Sequence, residues 1–269
     1  MTKLCFCYPL SLPNLKIISA KNRFRGLCTY QNKVVVITGG SQGIGQYLTQ
    51  AYLDLQAKVI VFDIAPNKNP EAEFYQVDLG QTDQIEQAFD KIQTLYSKVD
   101  ILINNGAVAN FNKPLQELTF EEFSRVIDVN LKGSFACSRR FIGLNNHQPY
   151  GRIINIASTR WNQNESGWDA YGASKGGVVS MTQSMAISLS DTPITVNAIS
   201  PGWIQVEGYE TLNRLDHEQH PSGRVGKAQD IVNACLFLTH PENDFINGHN
   251  LVIDGGMSKK MIYQDSLIG

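Results

Sequence analysis

At 269 residues, with 42% hydrophobic and 18% charged side chains, the chain has the make-up of one large folded domain or two small ones, which excludes a disordered protein. Its 23 Lys+Arg and 25 Asp+Glu leave a formal net charge of −2, without the basic excess that nucleic-acid or anionic-membrane partners require. No apolar run approaches the ~20 residues that span a bilayer.

The first stretch is chemically unlike the rest. Residues 1–53 contain Lys3, Lys16, Lys21, Arg23, Arg25 and Lys33, and the first acid is Asp54. Cys5, Cys7 and Cys28 also fall there, whereas Cys137 and Cys235 lie alone in helix-like segments. An odd cysteine count with no CxxC pair and no secretory signal pattern predicts reduced thiols and a cytoplasmic protein. A basic, acid-free start is also the charge pattern of an organelle transit peptide. Against that reading, Pro9 and Pro13 interrupt any amphipathic helix and arginines are few. Residues 1–31 are therefore expected to be a dispensable extension, and 32–269 the working domain. Without the five cations of the extension, the charge of the remainder drops from −2 to −7.

From Lys33 onward, short β-branched runs alternate with longer segments of helical period, which predicts a parallel sheet with crossover helices. The expected strands are 34–38, 59–62, 74–77, 101–104, 152–157, 194–199 and 250–253. Several are apolar without alternation, as strands covered on both faces are. The expected helices are 43–55, 84–98, 120–145, 170–190 and 227–239. Pro149, Pro193, Pro201 and Pro241 all fall in the connections, where the missing N–H costs least. No repeat or linker divides residues 33–257, so a single α/β domain is expected.

The first strand runs into Thr38-Gly39-Gly40-Ser41-Gln42-Gly43-Ile44-Gly45, followed by a helical pattern. Glycines allow a tight turn and close approach of backbone to a pyrophosphate, and the helix N-terminus adds unpaired N–H groups and a positive dipole end. The second strand ends at Asp63, 18 residues beyond Gly45. An acid there accepts hydrogen bonds from adenosine-ribose hydroxyls and repels a 2′-phosphate. No Lys or Arg lies between Gly39 and Gly45 or directly after Asp63, so NAD is favoured over NADP. Farther on, Ser158 follows an apolar strand, and Tyr171-Gly-Ala-Ser-Lys175 comes thirteen residues later. Residues four apart share a helix face, and an ammonium beside a phenol draws its pKa down from about 10 toward working pH.

Together these motifs resemble the short-chain dehydrogenase/reductase family from about residue 32 to 257. They are joined by Asp78, Asn104-Asn105, Asn130, Pro201-Gly202 and Asp254-Gly255-Gly256. The resemblance implies a single-domain Rossmann fold, a doubly wound seven-stranded parallel sheet with helices on both faces. It implies Tyr171 as general acid/base, Ser158 as the group binding the same substrate oxygen, and Lys175 as the residue that lowers the tyrosine pKa and holds the nicotinamide ribose. Asn130, in a helix, would position a water linking Lys175 to solvent. Gly39, Ser41, Gln42, Gly43, Ile44 and Gly45 would cradle the dinucleotide, with Asp63 on the adenosine ribose. Asp78 and Leu79 would flank the adenine, Asn105 would touch the ribose, and Pro201, Gly202 and Ile204 would meet the nicotinamide end. Where the family usually reads Asn-Asn-Ala-Gly, this chain has Asn104-Asn105-Gly106-Ala107. A left-handed φ at the fourth position would strain Ala107 by roughly 1–2 kcal/mol, unless the turn shifts by one residue.

The substrate side is less defined. A short lid at about 203–222 suggests a small substrate or an open pocket. Trp161, Trp168, Trp203 and Tyr209, with Arg160, Asn162, Gln163, Asn164 and Glu165, suit a polyol, a sugar or a small hydroxy acid, and Arg160 could meet a carboxylate. For each of these residues, loop capping or packing is an equally good reading. His217 and His220 are expected to be solvated lid residues, and no metal is expected. Ala136, Gly176, Val179 and Ala186 are read as outer helix positions, and the resemblance implies a homo-oligomer, a dimer or a tetramer. Two alternatives remain to the NAD-linked alcohol dehydrogenase or carbonyl reductase: an NADP-linked reductase of 3-oxoacyl thioesters, and a non-catalytic dinucleotide sensor.

Overall fold

Successive residues of β1 (Val34–Thr38) enter different cores. Val34 and Val36 pack with Phe62, Phe89 and Phe141, whereas Val35 and Ile37 pack with Leu48, Tyr52 and Ile103. Side chains alternate between the faces of a strand, so an uninterrupted apolar run requires cover on both sides. The computed structural model describes residues 29–145 and 148–261, and the cover is visible there. Helices α1 (Gly43–Asp54) and α7 (Ala228–Thr239) pack on one face. Helices α2 (Thr82–Leu95), α4 (Gly133–Asn145) and α5 (Asp169–Ser188) pack on the other.

The remaining strands of the main sheet are β2 (Lys58–Asp63), β3 (Glu73–Gln76), β4 (Ile101–Asn104), β5 (Gly151–Ile156), β6 (Ile194–Pro201) and β9 (Asn250–Ile253). Their order is β3-β2-β1-β4-β5-β6-β9, and every neighbouring pair is parallel. This is the expected doubly wound, seven-stranded sheet. The strand order reverses between β1 and β4, and that switch point opens a crevice at the carboxyl ends of the strands. A second, two-stranded ladder pairs β7 (Ile204–Gln205), in the expected lid, with β8 (Gly226–Lys227) beyond its end, and the lid also carries α6 (Arg214–Glu218).

The helix expected at 120–145 is interrupted. Its first part, α3 (Phe120–Ile127), starts at a Thr119–Glu122 capping box. A π-helical turn, Asp128–Lys132, then separates it from α4. Such a bulge turns a side chain out of helical register and is frequent at functional sites; here that side chain is Asn130.

The expected domain boundary at residue 32 falls late. Tyr30 is buried: its hydroxyl donates to the Leu236 carbonyl at 2.7 Å, lies 3.0 Å from Thr239 Oγ1, and its ring meets Tyr52 edge-on. A ring in that position belongs to the packed domain. The rest of the expected extension, residues 1–28, lies outside the described residues. Cys137 and Cys235 are free thiols, one in each core, and burial pushes the pKa of both well above the ordinary range. No helix among the described residues is long and apolar enough to cross a membrane.

Candidate active site

The turn after β1 closes because it lacks side chains. Gly39 has a φ of +63°, and a β-carbon at Gly45 would lie 1.9 Å from the Gly39 carbonyl oxygen. The Gly39 N–H donates to the Phe62 carbonyl at 2.7 Å, which fixes the turn against β2. Helix α1 then starts with no side-chain cap at Gln42 and no acid in its first turn. Its orphan N–H groups and positive dipole end therefore have no anion supplied by these positions.

Across the switch point, Thr38 Oγ1 accepts from the N–H groups of both Asn105 and Gly106, at 3.0 and 2.9 Å. Asn105 Nδ2 donates to the carbonyls of Thr38 and Gly39 at 3.1 and 3.0 Å. The expected strain at Ala107 does not arise, because Ala107 is not among the described non-glycine residues with positive φ. The glycine is needed one place earlier, for close approach: a β-carbon at Gly106 would sit 2.5 Å from Leu79 Cδ1 and 3.1 Å from Gly39 N.

Asp63, at the end of β2, is buried. One carboxylate oxygen accepts from the Ser41 N–H and the other from the Ala65 N–H, both at 3.0 Å. Gly39, Gln42, Gly43, Ile44, Asp63, Asp78, Leu79 and Asn105 all line one cleft of about 450 Å³. Ser41 and Gly45 build its loop without lining it. Asp78 is paired with Arg125 at 3.0 Å, and Arg125 lines the same cleft. Nothing in the sequence marks this arginine, which the fold brings from α3 to Asp78, just beyond β3.

A second cavity, of about 680 Å³, is lined by Ser158, Tyr171, Gly202 and Ile204, and Ala109 borders both spaces. Ser158 caps a short 3-10 turn, Thr159–Trp161, at the end of β5. Tyr171 and Lys175 lie one turn apart on α5, with the Lys175 ammonium 5.5 Å from the Tyr171 ring centroid. Burial pushes the Tyr171 pKa up, while a hydrogen bond with Ser158 and the charge of Arg160 pull it down. Arg160 thus enters the electrostatics of the site, a part that sequence reading assigned to Lys175 alone. Asn130, on the π turn, bonds the backbone N–H and C=O of Val108 and the Ser174 hydroxyl. It ties the loop after β4 to the residue preceding Lys175. Pro201 ends β6, and Gly202 N–H donates to Ile253 at 2.9 Å.

Lys175 is 3% exposed and donates to the Ile156 carbonyl at 2.7 Å. Desolvation lowers its pKa from the usual lysine value to about 8. Below pH 8 the ammonium is charged whether folded or not, and the burial penalty is fully present. As pH rises from 8 toward the ordinary lysine pKa, the unfolded chain holds more protons, so the contribution of Lys175 to stability increases. Relative to wild type, the stability of Lys175→Met is therefore expected to fall by roughly 2–4 kcal/mol between about pH 7 and 10, measured by urea unfolding. A difference that stays flat over this range contradicts the depressed pKa.

The lid departs from expectation in one respect. His220 is buried beside Trp203, not solvated, and neither ring nitrogen has a hydrogen-bond partner. His217 Nδ1 accepts from the Val225 N–H at 3.1 Å. Trp168 and Trp203 line the cavity, but Trp161 does not, and Tyr209 turns away to bond the Val225 carbonyl. Arg160, Gln163, Asn164 and Glu165 line the cavity, whereas Asn162 does not. Ala136, Val179 and Ala186, expected at outer positions, are buried within the chain because α4 and α5 pack there on the sheet or on the π turn. No cluster of three His, Cys, Asp or Glu side chains suited to a metal occurs among the described residues.

A family profile described as enoyl-(acyl carrier protein) reductase matches residues 39–258. An uncharacterized oxidoreductase of Thermotoga maritima is 40% identical over 87% of this chain and 99% of its own length. The 3-oxoacyl-[acyl-carrier-protein] reductase FabG of the same organism is 32% identical over 84% of this chain and 98% of its own. Among solved structures, a 4-hydroxyisoleucine dehydrogenase complexed with NADH superposes with a TM-score of 0.79 at 32% identity, covering 86% of this chain and 100% of that one. Solved neighbours carry NADH, NAD+ or NADP.

Proposed function

The chain belongs to the short-chain dehydrogenase/reductase family, and on that premise we propose that it is an NAD-dependent oxidoreductase acting on a small secondary alcohol or its ketone. The observation that carries this reading is the convergence of Ser158, Tyr171 and Lys175 at the second cavity, which shares Ala109 with the first cleft. The cleft suits such a cofactor: its loop is closed to side chains at Gly45, and the adjoining helix N-terminus has no acid in its first turn. When bound, the nicotinamide ring supplies the hydride acceptor or donor.

The protein's part is positional and electrostatic. In oxidation, Tyr171 takes the substrate hydroxyl proton as hydride leaves the same carbon; in reduction it returns that proton. Ser158 bonds the reacting oxygen and stabilises its developing charge. Lys175 carries a positive charge into a water-poor site, where it favours the phenolate and can bond a ribose hydroxyl. Asn130 is a positioning residue that holds the Val108 backbone and the hydroxyl of Ser174, the residue before Lys175. We read the protein as cytoplasmic and as a homo-oligomer, with the exposed Phe120, Phe135 and Ile187 on α3 to α5 favouring association.

Asp63 supports NAD over NADP. Its carboxylate already accepts two backbone N–H groups within the cleft, and it retains lone pairs for two ribose hydroxyls. A 2′-phosphate there would meet a fixed negative charge, with Ile64 and Ala65, not a cation, following in sequence. The one cation lining the cleft among the described residues, Arg125, is paired with Asp78. Wild type is expected to bind NADH at least ~30-fold more tightly than NADPH, and Asp63→Ser with Ile64→Arg to reverse that order, read by nucleotide fluorescence titration. Equal affinities for the two nucleotides in wild type would count against NAD and for the NADP-linked 3-oxoacyl alternative. Retention of Asn130, Ser158, Tyr171 and Lys175 argues against the non-catalytic sensor.

A further inference from the structure

Arg160 is the one basic side chain among the described residues lining the substrate cavity, and its only charged neighbour in that lining is Glu165. We propose that the cavity takes a short-chain hydroxy acid, or the matching oxo acid, with its carboxylate on Arg160 and its carbinol oxygen between Ser158 and Tyr171. The proposal rests on the dehydrogenase reading and adds the substrate class to it.

Three observations carry it. First, the guanidinium is held in place: its central carbon lies 4.4 Å from the centroid of the Trp168 ring, and its side chain is only 21% exposed. A cation stacked on an indole keeps its planar fork oriented. Second, the site already accepts a carboxylate. Arg160 Nη2 donates to Glu165 Oε2 at 2.9 Å, but the Glu165 side chain is 72% exposed. An ion pair open to solvent on one side is worth little and exchanges readily, so an incoming carboxylate can take its place and use both arms of the fork. Third, the spacing suits a small molecule. A single indole separates the guanidinium from the Tyr171 ring, whose centroid is 5.8 Å from that of Trp168. The Arg160 N–H also donates to Ser158 Oγ at 3.3 Å, so the anion-binding residue and the serine share one turn.

Trp168 then forms an apolar wall for a chain of a few carbons, with the carboxylate at one end and the reacting carbon at the other. Oxidation breaks the carbinol C–H and O–H bonds. Hydride passes to NAD+ and the proton to Tyr171, a C=O bond forms, and the carboxylate is unchanged.

The test uses the full-length protein with NAD+, comparing 2- and 3-hydroxybutanoate with their methyl esters and with 2-butanol. Wild type should favour one hydroxy acid over its ester by about 100-fold in kcat/KM, and Arg160→Gln should bring that ratio down to about 1. A second measurement, independent of turnover, is binding of 2-oxobutanoate and acetoacetate to the protein–NADH complex. One of these oxo acids should bind tightly to wild type, much more weakly to Arg160→Gln, and at an intermediate level to Arg160→Lys. It should bind more tightly to Glu165→Gln, which removes the competing carboxylate. Unchanged oxo-acid affinity in Arg160→Gln overturns the proposal, as does stronger competition from a phosphate monoester than from any carboxylate. Tyr171-dependent oxidation of 2-butanol with no preference for acids also overturns it, while leaving the dehydrogenase reading intact. Failure of wild type to bind NADH overturns both.

Discussion

Tyr171→Phe is expected to lower kcat by at least ~10³-fold while changing NADH affinity less than about 3-fold. The substitution removes one oxygen and keeps the ring that packs 5.8 Å from Trp168, so cavity shape and the position of α5 persist. What disappears is the group that exchanges a proton with the substrate oxygen. Ser158 remains as a hydrogen-bond partner, but its hydroxyl is too weak an acid to substitute, so the residual rate reflects positioning and charge stabilisation alone. Burial pushes the phenol's pKa up, and the hydrogen bond with Ser158 and the charge of Arg160 oppose it. The check is single-turnover kinetics on an identified substrate, with NADH binding as the control for folding. A variant that retains more than a tenth of wild-type kcat removes Tyr171 from the mechanism.

Gly45→Ala is expected to weaken NADH binding by at least ~100-fold and to lower the melting temperature. The new methyl would stand 1.9 Å from the Gly39 carbonyl oxygen and 2.7 Å from Asn105 Nδ2. Neither neighbour can move cheaply. The Gly39 N–H is tied to β2, and Asn105 Nδ2 donates to that same Gly39 carbonyl. Relief must come from shifting the loop away from β4, which displaces the backbone that cradles the pyrophosphate. Overpacking of this kind typically costs 1–3 kcal/mol or somewhat more. Gly143→Ala is the control, since a β-carbon there meets nothing within 4 Å and α4 should gain from the better helix former. Equal NADH affinity in the Gly45 variant would show that the turn does not have to be this tight.

The strands were legible because a parallel strand covered on both faces must be apolar at nearly every position, as β1 and β4 are. Helix ends and interruptions were less so. A π turn changes no residue type, and nothing in Asp128-Val-Asn-Leu-Lys132 separates it from the helix around it. Of the four tryptophan and tyrosine candidates for the cavity, only Trp168 and Trp203 line it, because the direction of a side chain on an irregular loop depends on what the loop packs against. His220 looked solvated for the same reason: its neighbours in sequence are polar, whereas its neighbour in space is Trp203.

The sequence by itself determined the sheet, the glycine turn and the acid at the end of β2, and it marked Ser158, Tyr171 and Lys175 as candidates. Each follows from local rules: the period of apolar residues, the absence of a β-carbon, and a four-residue spacing on a helix. Tertiary structure alone decided that Tyr30 belongs to the core, that Gly106 rather than Ala107 meets the steric demand, that Arg125 pairs with Asp78 in the dinucleotide cleft, and that Arg160 lies against Trp168 beside the reacting groups. These are contacts between residues on different elements, or within a loop whose path other elements set. Their energies depend on distances that appear only once the strands are paired and the helices packed, and no periodicity along the chain encodes them.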